Sequence, residues 1–186
     1  MKRVIIVHRW GGSSQDDWRS KLKEKLERLG YKVLAPDMPR TEIPIIEKWI
    51  KKLAEVVDAP DSETYFIGHS IGCQTILRYL ETIDEKVGGA LFVAGWFKLE
   101  NLEDEETEKI AEPWLKTPIN IEKIKKILPK SILLISKDDP YEAFQENIDK
   151  FSQFVSSLCV FDYAGHFTKL EDSDAIFAQF KNLISD

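Results

Sequence analysis

Apolar and polar positions alternate along this chain in two distinct rhythms. Val4 to Val7 is an unbroken apolar run, and so are the cores of Tyr31–Ala35, Thr64–Ile67, Ala90–Val93, Ile132–Ile135 and Cys159–Phe161. Runs this short, without polar alternation and bounded by Gly, Pro or charged residues, predict strands buried on both faces. Between them lie longer segments with helical spacing. Trp18, Leu22, Leu26 and Leu29 form one stripe, closed by Gly30 as a C-cap. Ile46, Trp49, Ile50, Leu53 and Val57 form another. Further helices are expected through Ile76, Leu77 and Leu80, over Phe144 to Val155, and over Ala175 to Ile184. Strand–helix alternation of this kind predicts a parallel sheet covered on both faces, a doubly wound three-layer α/β/α sandwich. At 186 residues the chain suits one domain, 1–186.

One stretch breaks the rhythm. Residues 96–120 are too long for a simple connection and follow a strand end, so they are expected to form a partial lid at the carboxyl edge of the sheet. The acidic run Glu103 to Glu108 within it reads as a solvated helix face.

The net charge of −6 argues against nucleic acid as the main partner. No run approaches the length of a membrane span, and the start of the chain lacks the pattern of a secretory signal; a cytoplasmic protein with no membrane partner is expected. Cys73 and Cys159 are too few for a disulfide scaffold and read as buried thiols.

The sharpest local signal is Gly68-His69-Ser70-Ile71-Gly72. It fits the G-x-S-x-G nucleophile elbow, and its setting between a strand and a helix is the context that motif requires. Ser70 is the expected nucleophile, with the Ile71 N–H as one oxyanion donor. Of three histidines, His69 adjoins the serine and faces away from it, and His8 ends the first strand. His166, in the loop Gly165-His166-Phe167 after the last strand, is the expected base. Asp138 and Asp139 follow the fifth strand, giving the chain order Ser…Asp…His. Pro140 biases Asp139 towards an extended conformation and favours it, while Asp138 stays open. Glu171 and Asp172 lie too close behind His166 to be preferred. The loop His8-Arg9-Trp10-Gly11-Gly12 is expected to supply the second oxyanion N–H, from Trp10. Arg9 either places a positive charge at the mouth of the site or points to solvent. Trp10, Trp96, Phe97 and Trp114 are candidates for an apolar substrate pocket, or ordinary core.

Together these pieces resemble the small α/β-hydrolases related to retinoblastoma-binding protein 9 and its bacterial homologues. The matching residues run from Val4–Ser13 through the Trp18 helix, Asp37-Met38-Pro39, the Ser70 elbow with Arg78-Tyr79 and Asp138-Asp139-Pro140-Tyr141 to Gly165-His166-Phe167. The resemblance implies a reduced sheet of about six parallel strands, a triad acid immediately before the proline (Asp139), and an esterase-like serine hydrolase of small acyl substrates. It implies no metal or organic cofactor. The Leu-x-Cys-x-Glu tag for retinoblastoma binding does not occur in the sequence, and no such partner is carried over. Two other functions stay open at this stage, acyl transfer to an acceptor other than water and a non-catalytic binding module on the same fold; the natural substrate and the oligomeric state are open too.

Overall fold

The computed structural model describes residues 1–141 and 143–185. Six strands form one parallel sheet: β1 (Arg3–Val7), β2 (Lys32–Leu34), β3 (Thr64–His69), β4 (Gly89–Val93), β5 (Ser131–Ser136) and β6 (Ser157–Phe161). Their order is β2-β1-β3-β4-β5-β6, so the winding reverses between β1 and β3. In such a sheet the crevice at the reversal, outside the carboxyl ends of the strands, is where ligands bind. Val7 is in register with Gly68 there, which puts the His8 loop beside the Ser70 elbow.

Successive strand residues face opposite layers. Val4 and Ile6 of β1, Leu91 and Val93 of β4, and Ile132 and Leu134 of β5 pack with α1 (Arg19–Arg28) and α7 (Asp172–Ile184). Ile5, Phe66, Phe92 and Leu133 face the other layer, built from α2 (Ile46–Val57), α3 (Ile71–Leu80), α5 (Ile121–Ile127) and α6 (Phe144–Phe151). All ten residues of α3 are buried, because it is the central helix of that layer. Helix α1 ends in a Schellman motif. Gly30 takes φ 85°, its N–H donates to the Glu27 carbonyl, and that of Tyr31 donates to Leu26.

The expected strands and helices are all present, with altered ends. Helix α6 stops at Phe151 rather than Val155, and α3 begins at Ile71, directly after the serine. The segment expected to be a lid contains α4 (Glu105–Lys116) and is followed by α5, which the hydrophobic pattern had not separated. The acidic run is the first turn of α4. Asp104 caps it by accepting the Thr107 N–H at 2.8 Å, and Glu105, Glu106 and Glu108 meet the positive end of the helix dipole. Cys73 is buried as expected, whereas Cys159 on the edge strand β6 is only half-buried. No helix among the described residues is long and apolar enough to cross a membrane.

Candidate active site

Strand β3 runs into α3 through Ser70, which adopts φ 56° and ψ −121°, a backbone conformation that side-chain-bearing residues rarely hold. It is held by the Ser70 N–H donating to Val93 O on β4 and the Cys73 N–H donating to Ser70 O, both at 2.9 Å. Both flanking glycines are sterically required. A Cβ on Gly68 would lie 2.7 Å from the Cys73 nitrogen, and one on Gly72 would lie 2.4 Å from the Val7 carbonyl oxygen.

After β1 the chain makes a tight turn closed by the Gly12 N–H to Arg9 O bond at 3.1 Å, with Gly11 at φ 62°. The Trp10 amide has no intramolecular acceptor among the described residues. The Ile71 amide, first of α3, has none within its helix.

The two aspartates after β5 have separate positions. Asp139 is buried, and its Oδ2 lies 2.7 Å from His166 Nδ1. Its Oδ1 accepts the Tyr141 N–H at 3.0 Å, so the turn at Pro140 fixes the carboxylate. Asp138 is exposed and turned elsewhere. Its Oδ1 accepts the Ser136 hydroxyl at 2.6 Å and the Gly165 N–H at 2.8 Å, bonds that hold its carboxyl below the usual range. Ser136 Oγ in turn accepts the Ala164 N–H at 2.9 Å. The Asp138 side chain thus ties down the histidine loop while Asp139 meets the ring.

Ser70 and His166 line one cleft of about 490 Å³, a size suited to a small molecule. Arg9, Trp10 and Trp96 line it too, and α4 and its approach contribute Leu99, Leu102 and Ile110. Glu103, Asp104 and Glu106 stand at its rim, so part of the acidic run expected only as a solvated face also borders the cleft. The Ser70 hydroxyl oxygen accepts a hydrogen bond from the Trp96 indole at 3.2 Å. Among the described residues it makes none with His166.

A family model described as serine hydrolase matches residues 4–181. The chain belongs to the serine hydrolase family. It is 29% identical to YdeN of Bacillus subtilis over 173 residues, covering 92% of this chain and 87% of that protein. It is 28% identical to the serine hydrolase RBBP9 of Rattus norvegicus over 177 residues, covering 94% and 91%. The crystal structure of the Bacillus subtilis ydeN product superposes with a TM-score of 0.89 at 26% identity and full coverage of both chains. Est1E of Butyrivibrio proteoclasticus shares the fold alone, with a TM-score of 0.76 at 15% identity over 100% of this chain and 89% of that one.

In this serine hydrolase the other two histidines are committed to structure. His8 donates Nδ1–H to Arg9 O at 2.7 Å and accepts the Met38 N–H at Nε2 at 2.9 Å; burial lowers its pKa. His69 accepts from Arg19 at Nδ1 (3.1 Å) and donates Nε2–H to the His166 carbonyl (2.8 Å). Complete burial, then the nearby His166 and Arg19, push its pKa well below the ordinary value. Both rings are therefore neutral, with their tautomers fixed by partners.

Arg9 does not simply point to solvent. It borders the cleft, but its Nε donates to Asp17 Oδ2 at 2.9 Å, the same oxygen that takes Arg19 Nη2 at 3.1 Å. Sequence reasoning missed this Arg9–Asp17–Arg19–His69 chain, since nothing local marks Arg19 as buried. Phe97 does not line the cleft; its ring packs on Phe151 at 5.0 Å. Trp114 is core as well, donating its indole N–H to Pro44 O at 3.1 Å. Among the described residues, no group of three or more His, Cys, Asp or Glu could hold a metal ion.

Proposed function

We propose that this chain hydrolyses carboxylic esters or related acyl bonds of small molecules through an acyl-enzyme on Ser70. The observation that carries the reading is the 2.7 Å contact between Asp139 and His166 Nδ1, in a cleft that Ser70 also lines from a strained elbow. The Asp139 carboxylate keeps the proton on Nδ1, which leaves Nε2 bare towards the cleft. Ser70 Oγ attacks the carbonyl carbon and its proton passes to Nε2. The carbonyl oxygen takes the negative charge and is met by the Trp10 and Ile71 amides. Collapse expels the alcohol, which leaves with the proton from Nε2. A water then repeats the sequence on the ester to Ser70, returning the proton to Oγ and releasing the acid.

The apolar wall of Trp10, Trp96, Leu99 and Leu102 supports a small hydrophobic acyl or alcohol portion. The experiment is labelling with an alkyl fluorophosphonate, paired with turnover of p-nitrophenyl acetate. Wild type should be labelled once and Ser70→Ala not at all. A folded wild type that neither labels nor turns over ester refutes the proposal.

A further inference from the structure

Trp96 follows β4 and is fully buried. Its position is fixed by two features. The Trp96 carbonyl accepts Gln74 Nε2–H at 2.6 Å. Gly95 before it has no room for a side chain, because a Cβ there would lie 2.7 Å from the Phe151 ring. So held, the indole Nε1–H donates to Ser70 Oγ at 3.2 Å.

An indole nitrogen can donate but never accept. The bond to Ser70 therefore has a single polarity, with Oγ as the acceptor. The serine's own proton takes no part in it. On the other side of the cleft, the Asp139 carboxylate accepts the Nδ1–H of His166, and Nε2 is left as an acceptor. Two bonds are in place, indole N–H to Oγ and Nδ1–H to carboxylate, and a transfer of the Oγ proton to Nε2 would run in the same direction between them.

We infer that Trp96 is a further catalytic residue: its indole N–H holds the Ser70 oxygen with the hydroxyl proton free for His166, and stabilises that oxygen as the proton leaves. This rests on the triad reading above. As Oγ gains negative charge the bond becomes charge-assisted, hence stronger in the transition state than at rest. The same N–H serves again when the acyl-enzyme breaks down, because Oγ is then the leaving oxygen. Trp96 thus adds a donor to the nucleophile itself, distinct from the two amides aimed at the substrate's carbonyl oxygen.

The test compares wild type, Trp96→Phe and Ser70→Ala. Trp96→Phe keeps a ring in the wall and removes the donor. Loss of one such bond should slow fluorophosphonate labelling about tenfold, with kcat for p-nitrophenyl acetate falling more than KM changes. Circular dichroism checks that the variant is folded. Independently of any core variant, the Trp96 indole N–H resonance of 15N-labelled protein should move in Ser70→Ala and on labelling of wild type. A folded Trp96→Phe that labels at the wild-type rate overturns the inference, and so does an indole resonance indifferent to Ser70→Ala. If Trp96→Phe does not fold, the indole comparison decides. A wild type that never labels overturns the triad reading and this inference with it, whereas a labelled wild type with an unaffected Trp96→Phe overturns this inference alone.

Discussion

Replacing Gly72 by alanine adds one methyl group at the tightest contact in the site. Its carbon would sit 2.4 Å from the Val7 carbonyl oxygen and 2.9 Å from that of His8, both backbone atoms. No rotamer relieves a backbone clash. The end of β1 and the start of α3 must separate by about 0.6 Å, the gap between 2.4 Å and the 3.0 Å below which such contacts essentially never fall. Overpacking of this kind costs about 1–3 kcal/mol. A helical Gly→Ala change returns about 1 kcal/mol of backbone propensity, so the net loss is at most about 2 kcal/mol. For a chain of this size that lowers Tm by up to about 8 °C. The larger effect is on chemistry. The shift moves the Trp10 amide away from Ser70, and displacements approaching 1 Å can cost on the order of a hundredfold in rate. Gly30→Ala is the control. There φ is 85° and nothing lies within 4 Å, so the cost is conformational, about 1–2 kcal/mol, and lies far from the cleft. Differential scanning calorimetry and the fluorophosphonate labelling rate measure both variants. Gly72→Ala should lose labelling out of proportion to its Tm, and Gly30→Ala should lose Tm alone. A Gly72→Ala protein that melts and labels like wild type would show that this contact does not set the site.

Two further outcomes separate neighbouring groups. Asp139→Asn should cut ester turnover by roughly four orders of magnitude by releasing the imidazole tautomer, while Asp138→Asn, which keeps an oxygen for Ser136 and Gly165, should cost tenfold or less; comparable losses in the two kinetic assays would contradict the assignment. Stability should fall as pH drops. His8 and His69 have lowered pKa values in the folded chain, so unfolding takes up protons below the ordinary 6.5, and the stabilisation present above that pH is lost on the way down. Each ring contributes a slope of up to about 1.4 kcal/mol per pH unit. Urea unfolding at pH 7.5, 6.5 and 5.5 measures it, His69→Gln should remove one ring's share, and a flat profile would show that neither ring is held neutral.

The inner strands were legible because burial on both faces keeps them apolar: Leu133 and Leu134 face opposite layers and are both fully buried, whereas the edge strand β6, expected to be buried too, exposes Leu158 and Val160 because no strand covers its outer side. The turn that carries Ser70 was legible from the local G-x-S-x-G pattern, and His166 was singled out by the scarcity of histidines in the chain; the structure brings both to one cleft. Local pattern leaned to Asp139 through Pro140 but left Asp138 open, since both can accept an N–H; the Ser136 hydroxyl and the Pro140 turn give them separate positions. Helix α5 was hidden because only Ile124 and Ile127 of it are buried, too few positions to show a period. Trp96 and Phe97 looked equivalent in sequence, yet adjacent residues point different ways. One indole reaches Ser70, and one ring joins the Phe151 cluster. The pairing of Arg19 with His69 spans fifty positions of sequence and leaves no trace in it.

The Ser136 hydroxyl, bonded at once to Asp138 and to the Ala164 amide, makes the loops after β5 and β6 a single block. Asp139 and His166 sit together on that block. Ser70 directly follows β3, and β4 lies between that strand and β5. Asp139 and His166 form one unit through their 2.7 Å contact, and that unit is joined to β3 where the His166 carbonyl accepts His69 Nε2–H at 2.8 Å. His69, the residue before Ser70, thus braces from behind the line along which Ser70 and His166 face the cleft.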